Sequence, residues 1–141
     1  MARVDEVSRL AAELRLACMR ISRRVRFEST DVLAPHQFSV LARLEERARS
    51  AGELAELERV SAPSMTRTVA ALVERGLIAR SANPADGRIV ILTLSEAGAS
   101  VLRQVREARE EWMVSRIGQL SRRDRELLER AAVLLHRVAE Q

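Results

Sequence analysis

The chain has no tyrosine and no lysine, and among its 141 residues only one cysteine, one tryptophan and two phenylalanines. A single cysteine excludes an internal disulfide framework. With aromatics at 2%, the core has to be assembled from Leu, Val, Ala, Ile and Met, side chains that suit helix-on-helix packing. No apolar run reaches the roughly eighteen residues of a membrane span. The opening stretch, MARVDEVSRL, carries acids and no apolar h-region, unlike a secretory leader. These absences predict a cytoplasmic protein with no membrane partner. Signatures of catalysis are missing too: there is no nucleophile elbow, phosphate loop or zinc motif. The only histidines, His36 and His136, have no His or Cys at metal-ligand spacing and read as surface residues. Neither an enzyme nor a cofactor or metal is expected.

What is present is a globular composition, 47% hydrophobic and 31% charged, long enough for one domain. All 24 basic residues are arginine, against 20 acids, for a net charge of +4. Codon usage is the plain explanation for arginine without lysine. Arginine is nevertheless the better residue for bidentate contacts to phosphate and guanine, so the question becomes where the positive charge collects.

Apolar residues Val4, Val7, Leu10, Leu14, Cys18, Ile21 and Val25 step by three or four and line one face of a long helix over 4–27. One helix cannot bury such a stripe alone. A second helix starts at Pro35, suited to a first turn, and carries Phe38, Val40, Leu41 and Leu44 to about Arg47. A short third helix spans Leu54, Ala55 and Leu57 and is closed by Val60. Ser61 is the N-cap candidate for a fourth, with Pro63 just inside, Met65, Val69, Leu72 and Val73 facing inward, and Gly76 at its end. LIARS and RIVILTL then read as two strands joined by NPADG. Ser95 caps a long helix bearing Val101, Leu102, Val105, Ala108, Trp112 and Ile117, with Gly98 tolerated in its first turn. Ser121 and Asp124 start a last one, striped with Leu127, Leu128, Ala131, Leu134, Leu135 and Val138.

Four helices, a hairpin and two helices give a mainly α fold containing a winged helix-turn-helix with a two-stranded wing. The fourth helix shows Ser61, Ser64, Thr66, Arg67 and Thr68 outward, with no acid before Glu74. Hydroxyls and backbone N–H groups at such a helix end suit phosphates in the major groove, and Arg67 suits guanine or phosphate. An ordinary surface of Ser/Thr caps would look similar, and the hairpin shifts the balance between them. A wing tip can enter the minor groove, where a narrow groove attracts Arg, and Arg88 is placed for it. Asp86 would repel phosphate, so its expected role is to hydrogen-bond the turn or pair with an Arg. Double-stranded DNA is thus the expected partner, through Ser61, Ser64, Thr66, Arg67 and Arg88, with Pro63 and Thr68 as second-line contacts and Asp86 holding the wing.

The stretches LAPHQFSVLARL (33–44), GELAELERVSAPSMTRTVAALVERGLIAR (52–80) and DGRIVILTLSEAG (86–98) resemble the MarR family of bacterial transcriptional regulators. The family's wing signature is met by Asp86, Arg88, Leu94, Ser95 and Gly98. The resemblance implies a single MarR-like domain over 1–141, with a DNA-binding lobe at 31–98 and dimerisation helices at 1–30 and 99–141. It implies a homodimer, in most cases a repressor, on a near-palindromic site, released by a small-molecule effector bound between the dimerisation helices and the lobe. Two departures stand out. Ala34 occupies a position where the family often has a Thr or Ser cap, so half of a capping box with Gln37 is missing. The absence of tyrosine means that any effector pocket is lined differently from those that hold phenols.

The alternative from another class is a winged-helix protein-interaction module, which would tolerate acids on the fourth helix and would not need Arg at the wing tip. A purely helical scaffold leaves the hairpin unexplained. Three sharper readings give way to plainer ones. Cys18, on an apolar stripe, reads as a small hydrophobe rather than a redox sensor. Trp112 reads as a buried core aromatic rather than a pocket wall. Arg20, Arg23, Arg24 and Arg26 read as a solvated helix face with intersubunit pairs rather than an anion site.

Overall fold

The computed structural model describes residues 2–140, with side chains from residue 5 onward. The side chain of Val4, first in the predicted stripe, lies outside the described residues. Helix α1 spans Ala2–Glu28, α2 Pro35–Glu46, α3 Ala51–Glu58, α4 Ala62–Glu74, α5 Glu96–Ile117 and α6 Arg122–Ala139. Strands β1 (Arg49–Ser50), β2 (Ile78–Ala82) and β3 (Val90–Leu94) form one antiparallel sheet in the order β1-β3-β2. The hairpin pairs as the sequence predicts, Ile78 opposite Leu94 and Ala82 opposite Val90. The sheet also has a third strand that the sequence reading does not contain. Arg49 and Ser50 pair with Leu92 and Ile91, too short a run to show any periodicity.

Four helices begin on a serine whose hydroxyl accepts a backbone N–H three residues on: Ser50, Ser61, Ser95 and Ser121. This satisfies donors that the first turn leaves orphaned. Ser50 and Glu53 complete a reciprocal box, and the Ser50 N–H, followed by Arg47, holds the Glu53 carboxyl below its usual pKa. Helix α2 keeps only half of that device. Ala34 has no oxygen to offer, while Gln37 Oε1 still accepts the Ala34 N–H at 3.3 Å.

The core sits where α2, α3, α4, the sheet and the start of α5 meet. Val40, Leu41 and Leu44 of α2, Leu54 of α3, Met65, Val69 and Leu72 of α4, Leu92 of β3, and Leu102 and Val105 of α5 are all buried. Gly98 does more there than tolerate a helical turn. A Cβ on it would collide with the Leu77 carbonyl oxygen and the Leu94 side chain. The first turn of α5 is thus seated directly on the entry to β2, fixed by the Ser95 N–H on Leu77 O (3.1 Å) and Ser95 Oγ on Gly76 O (2.6 Å).

Candidate nucleic-acid interface

Burial of Met65, Val69 and Leu72 turns the opposite side of α4 to solvent, where Pro63, Thr66, Arg67 and Ala70 are exposed. Ser61, the N-cap, is exposed as well, and its hydroxyl bonds Ser64 Oγ at 3.1 Å. Arg67 donates to Ser64 Oγ at 3.2 Å, so its guanidinium is steadied at the helix start rather than neutralised by an acid. Thr66 donates its hydroxyl to Ala62 O and Thr68 donates to Ser64 O. With those protons committed to the backbone, the two threonines present a methyl group and an acceptor lone pair. Ser64 and Thr68 are half-buried. They face a groove of about 490 Å³ between α2, α3 and α4, whose lining includes His36, Gln37, Val60 and Arg67. His36, read from sequence as an ordinary surface residue, therefore stands beside the expected reading helix. Only the packing of α2 against α4 brings it there.

At the wing tip Asp86 does what turn chemistry predicts. Its Oδ1 accepts the Arg88 N–H at 3.1 Å and its carbonyl accepts the Ile89 N–H at 3.0 Å. The Arg88 guanidinium comes no nearer than 3.9 Å to that carboxylate and its side chain is 96% exposed. Asp86 thus shapes the tip and pairs only loosely with the exposed cation.

Behind these surfaces lies a chain of ion pairs with no sequence signature. Glu58, at the end of α3, accepts from Ser39 Oγ at 2.5 Å and from Arg43 Nε at 3.1 Å. Arg43 also approaches Glu46 (3.6 Å), which holds the buried Arg49 of β1 at 2.6 Å. One residue of α2 is in this way tied both to the α3–α4 turn and to the inner edge of the wing sheet. At the far end of α4, Arg75 donates to Val32 O at 3.0 Å, joining the helix to the loop that leads to α1.

Helix α3, a tight turn, an α4 whose outer face carries no acid before Glu74 and a hairpin projecting beside it form a winged helix-turn-helix. The MarR family model matches residues 33–90, from the α1–α2 loop to the start of β3. An HTH-type transcriptional regulator of Mycobacterium tuberculosis is 42% identical over 134 residues, 94% of each chain. The chain belongs to the MarR family. A MarR family protein from Bacillus stearothermophilus superposes with a TM-score of 0.71 at 25% identity over 96% of both chains. A variant of S. aureus MepR, solved bound to an oligodeoxyribonucleotide, shares the fold at 15% identity (TM-score 0.70; 94% of this chain, 98% of that one). This MarR-family chain is accordingly a transcriptional regulator with a DNA-binding winged-helix fold, and its relatives are regulators rather than enzymes.

Away from the wing, two further clefts lie between helices. One, of about 320 Å³, lies between the end of α1, α2 and α5; Arg26, Phe38, Ser39, Arg43, Glu46 and Arg109 line it. The Arg109 guanidinium stacks 3.8 Å from the Phe38 ring centroid, and its buried Nε lacks a hydrogen-bond partner. Burial first, then Arg26 and Arg106, draw its pKa down. The second, of about 670 Å³, is walled by Ile21, Trp112, Met113, Ile117, Leu128 and Leu135. Trp112 is therefore half-buried in a cleft between α1, α5 and α6 and not the core aromatic that the sequence suggests, because α6 does not close over it. Arg116 stacks 3.8 Å from its ring centroid and Arg24 reaches 5.7 Å. Arg24 pairs within its own helix, with Glu28 at 3.0 Å. Cys18 is exposed, not enclosed, since no described residue packs over that face of α1. Among the described residues no group of three His, Cys, Asp or Glu could hold a metal, and no helix is long and apolar enough to cross a membrane.

Proposed function

We propose that this regulator is a homodimeric repressor that reads a near-palindromic operator with α4 in the major groove and the wing in the minor groove. The observation that carries the proposal is the pairing of two exposed arginines, one on the outer face of α4 and one at the wing tip. Arg67 is steadied only by Ser64, and Arg88 projects from the wing tip, 96% exposed and only loosely paired with Asp86 at 3.9 Å. In this reading Ser61, Ser64, Thr66 and Arg67 meet base edges and phosphates, Pro63 and Thr68 pack at the groove edge, Asp86 holds the tip, and Arg88 enters the narrow groove. The oligodeoxyribonucleotide bound by the MepR variant supports the choice of ligand.

The dimer reading is supported by the apolar stripes of α1 and α6, which stay largely exposed among the described residues. They include Val7, Leu10, Leu14 and Ile21 on one, and Leu127, Leu128, Leu134 and Val138 on the other. Residues 1–30 and 99–141 then form the dimerisation helices and 31–98 the DNA-binding lobe. Two-fold symmetry sets the α4 helices about 34–36 Å apart, one turn of DNA. The effector, in turn, is a small anion with an aromatic or apolar body, taken by the Arg26–Arg109–Phe38 cleft. Filling that cleft changes the seating of the lobe on α5 and hence the spacing.

The deciding experiment is a footprint of the purified protein on fragments of its own genome at physiological salt. A protected two-fold site of about twenty base pairs, lost with Arg67→Ala, is the expected result. Binding that ignores sequence and vanishes with added salt would overturn the proposal in favour of a protein-interaction module.

A further inference from the structure

Two helices of the lobe end in the same way. At the end of α4, Gly76 has a φ of +69°, its N–H bonds Val73 O, and the Leu77 N–H reaches back to Leu72 O at 2.9 Å. At the end of α3, the N–H of the residue in the same left-handed conformation bonds Glu56 O, and the Val60 N–H reaches back to Ala55 O at 3.0 Å. That residue is Arg59, with φ 53° and ψ 44°. Among the described residues it is the only one other than glycine with a positive φ. The closure favours glycine because a Cβ crowds the neighbouring carbonyl. Where the chain closes α4 it follows that preference. Where it closes α3, in the turn of the helix-turn-helix, it does not.

The side chain that carries this cost makes no described hydrogen bond or ion pair. Its neighbour Glu58 does not neutralise it, since both Glu58 oxygens are taken by Ser39 and Arg43 on the inner side. Arg43, Arg47 and Arg49 are each paired with a carboxylate, whereas Arg59 is exposed. It stands two residues before the N-cap Ser61, and its other neighbour, Val60, lines the groove shared with Arg67. Contacts from outside a reading helix's start suit phosphate oxygens, which fix register, better than base edges.

We infer that Arg59 is a phosphate contact of the recognition turn, kept in a glycine conformation because its guanidinium holds the backbone strand beside α4. This rests on the operator-binding reading above. It adds to Arg67 and Arg88 an exposed arginine with no described carboxylate partner, one that contributes affinity without reading sequence.

Arg59→Gly separates the two effects that an ordinary substitution would confound, because it relieves the backbone while removing the charge. Arg59→Asn does nearly the same with a side chain that tolerates the left-handed region. The operator found by footprinting is titrated across a range of salt with the wild type and both variants, and thermal unfolding is followed in parallel. The expected result is a melting temperature equal to or above the wild type's, together with weaker binding to operator and to random DNA by the same factor. The slope of log affinity against log salt should become shallower by about 0.9 for each phosphate no longer neutralised, so by nearly two for a dimer. Unchanged affinity and slope in both variants would overturn the inference while leaving operator binding intact. A weakening confined to operator DNA would also overturn it, by making Arg59 a reader of bases. Failure of the wild type to bind any DNA would instead remove the operator reading on which it depends.

Discussion

Leu72 and Leu134 each sit on the apolar stripe of an amphipathic helix, yet Leu72 is fully buried and Leu134 is 56% exposed. The same contrast separates two regions of the molecule. Every buried apolar side chain among the described residues lies between Leu33 and Val105. Helix α6, with a continuous apolar stripe, buries no residue at all. In the lobe, α2, α3, α4, the sheet and the start of α5 close around one another and each stripe finds a facing element. The outer helices have equally regular stripes, yet most of their apolar side chains among the described residues stay exposed. A fully buried leucine is worth about 2 kcal/mol, so several left open on α1 and α6 make a strong case for a covering surface. A second copy of the chain supplies it in our proposal. A hydrophobic pattern states a need for burial without saying whether the same chain meets it.

That contrast can be broken most severely in the lobe. Leu72→Ala should cost about 4 kcal/mol of folding stability, measured by denaturant unfolding. Leu134→Ala should leave lobe unfolding nearly unchanged and raise the dimer dissociation constant in sedimentation experiments. Gly98→Ala comes next, at about 3 kcal/mol in the same unfolding assay, because the Leu77 backbone must retreat from the new methyl group. The two regions should also separate in DNA binding. Arg67→Ala should cost about 2 kcal/mol of operator affinity, whereas Arg123→Ala, on exposed α6, should cost none. Arg88→Ala should weaken binding most where the flanks are A·T-rich.

The smallest effect belongs to the seam between the regions, where Arg106 of α5 holds Glu45 of α2 through two bonds of 3.0 and 2.7 Å. That hydrogen bond, with the charge of Arg106 behind it, lowers the Glu45 pKa. A carboxyl depressed in the folded state contributes stability that is present above its ordinary pKa and lost as pH falls through the lowered one. Glu45→Gln should therefore narrow the gap between neutral and acid stability, and melting curves at the two pH values check it.

Much of this was legible because local chemistry repeats itself. The serine caps at 61, 95 and 121, Pro35 at a helix start, Gly76 at a helix end and the Asp86–Gly87 turn all announce their roles through side chains that favour one backbone shape. The surface of α4 was readable because burial of Met65, Val69 and Leu72 follows from their spacing, leaving Arg67 on the other side. What escaped was long-range. Two residues of β1 have no period to detect. The Ser39–Glu58–Arg43–Glu46–Arg49 chain joins α2, α3 and β1 across up to nineteen positions in sequence. Nothing near Trp112 reveals that α6 stands away from it, and Arg59 gives no sign of its left-handed backbone.

By itself, then, the sequence determined the helices and the wing hairpin, their apolar faces and the nature of the reading surface, because each depends on neighbours within a few residues. Tertiary structure alone decided which of the stripes are satisfied, which arginines are spent on carboxylates and which remain free, and where the chain accepts a strained residue. Those outcomes depend on which groups meet in space, and a charge or an apolar face acquires its energy only from what stands opposite it.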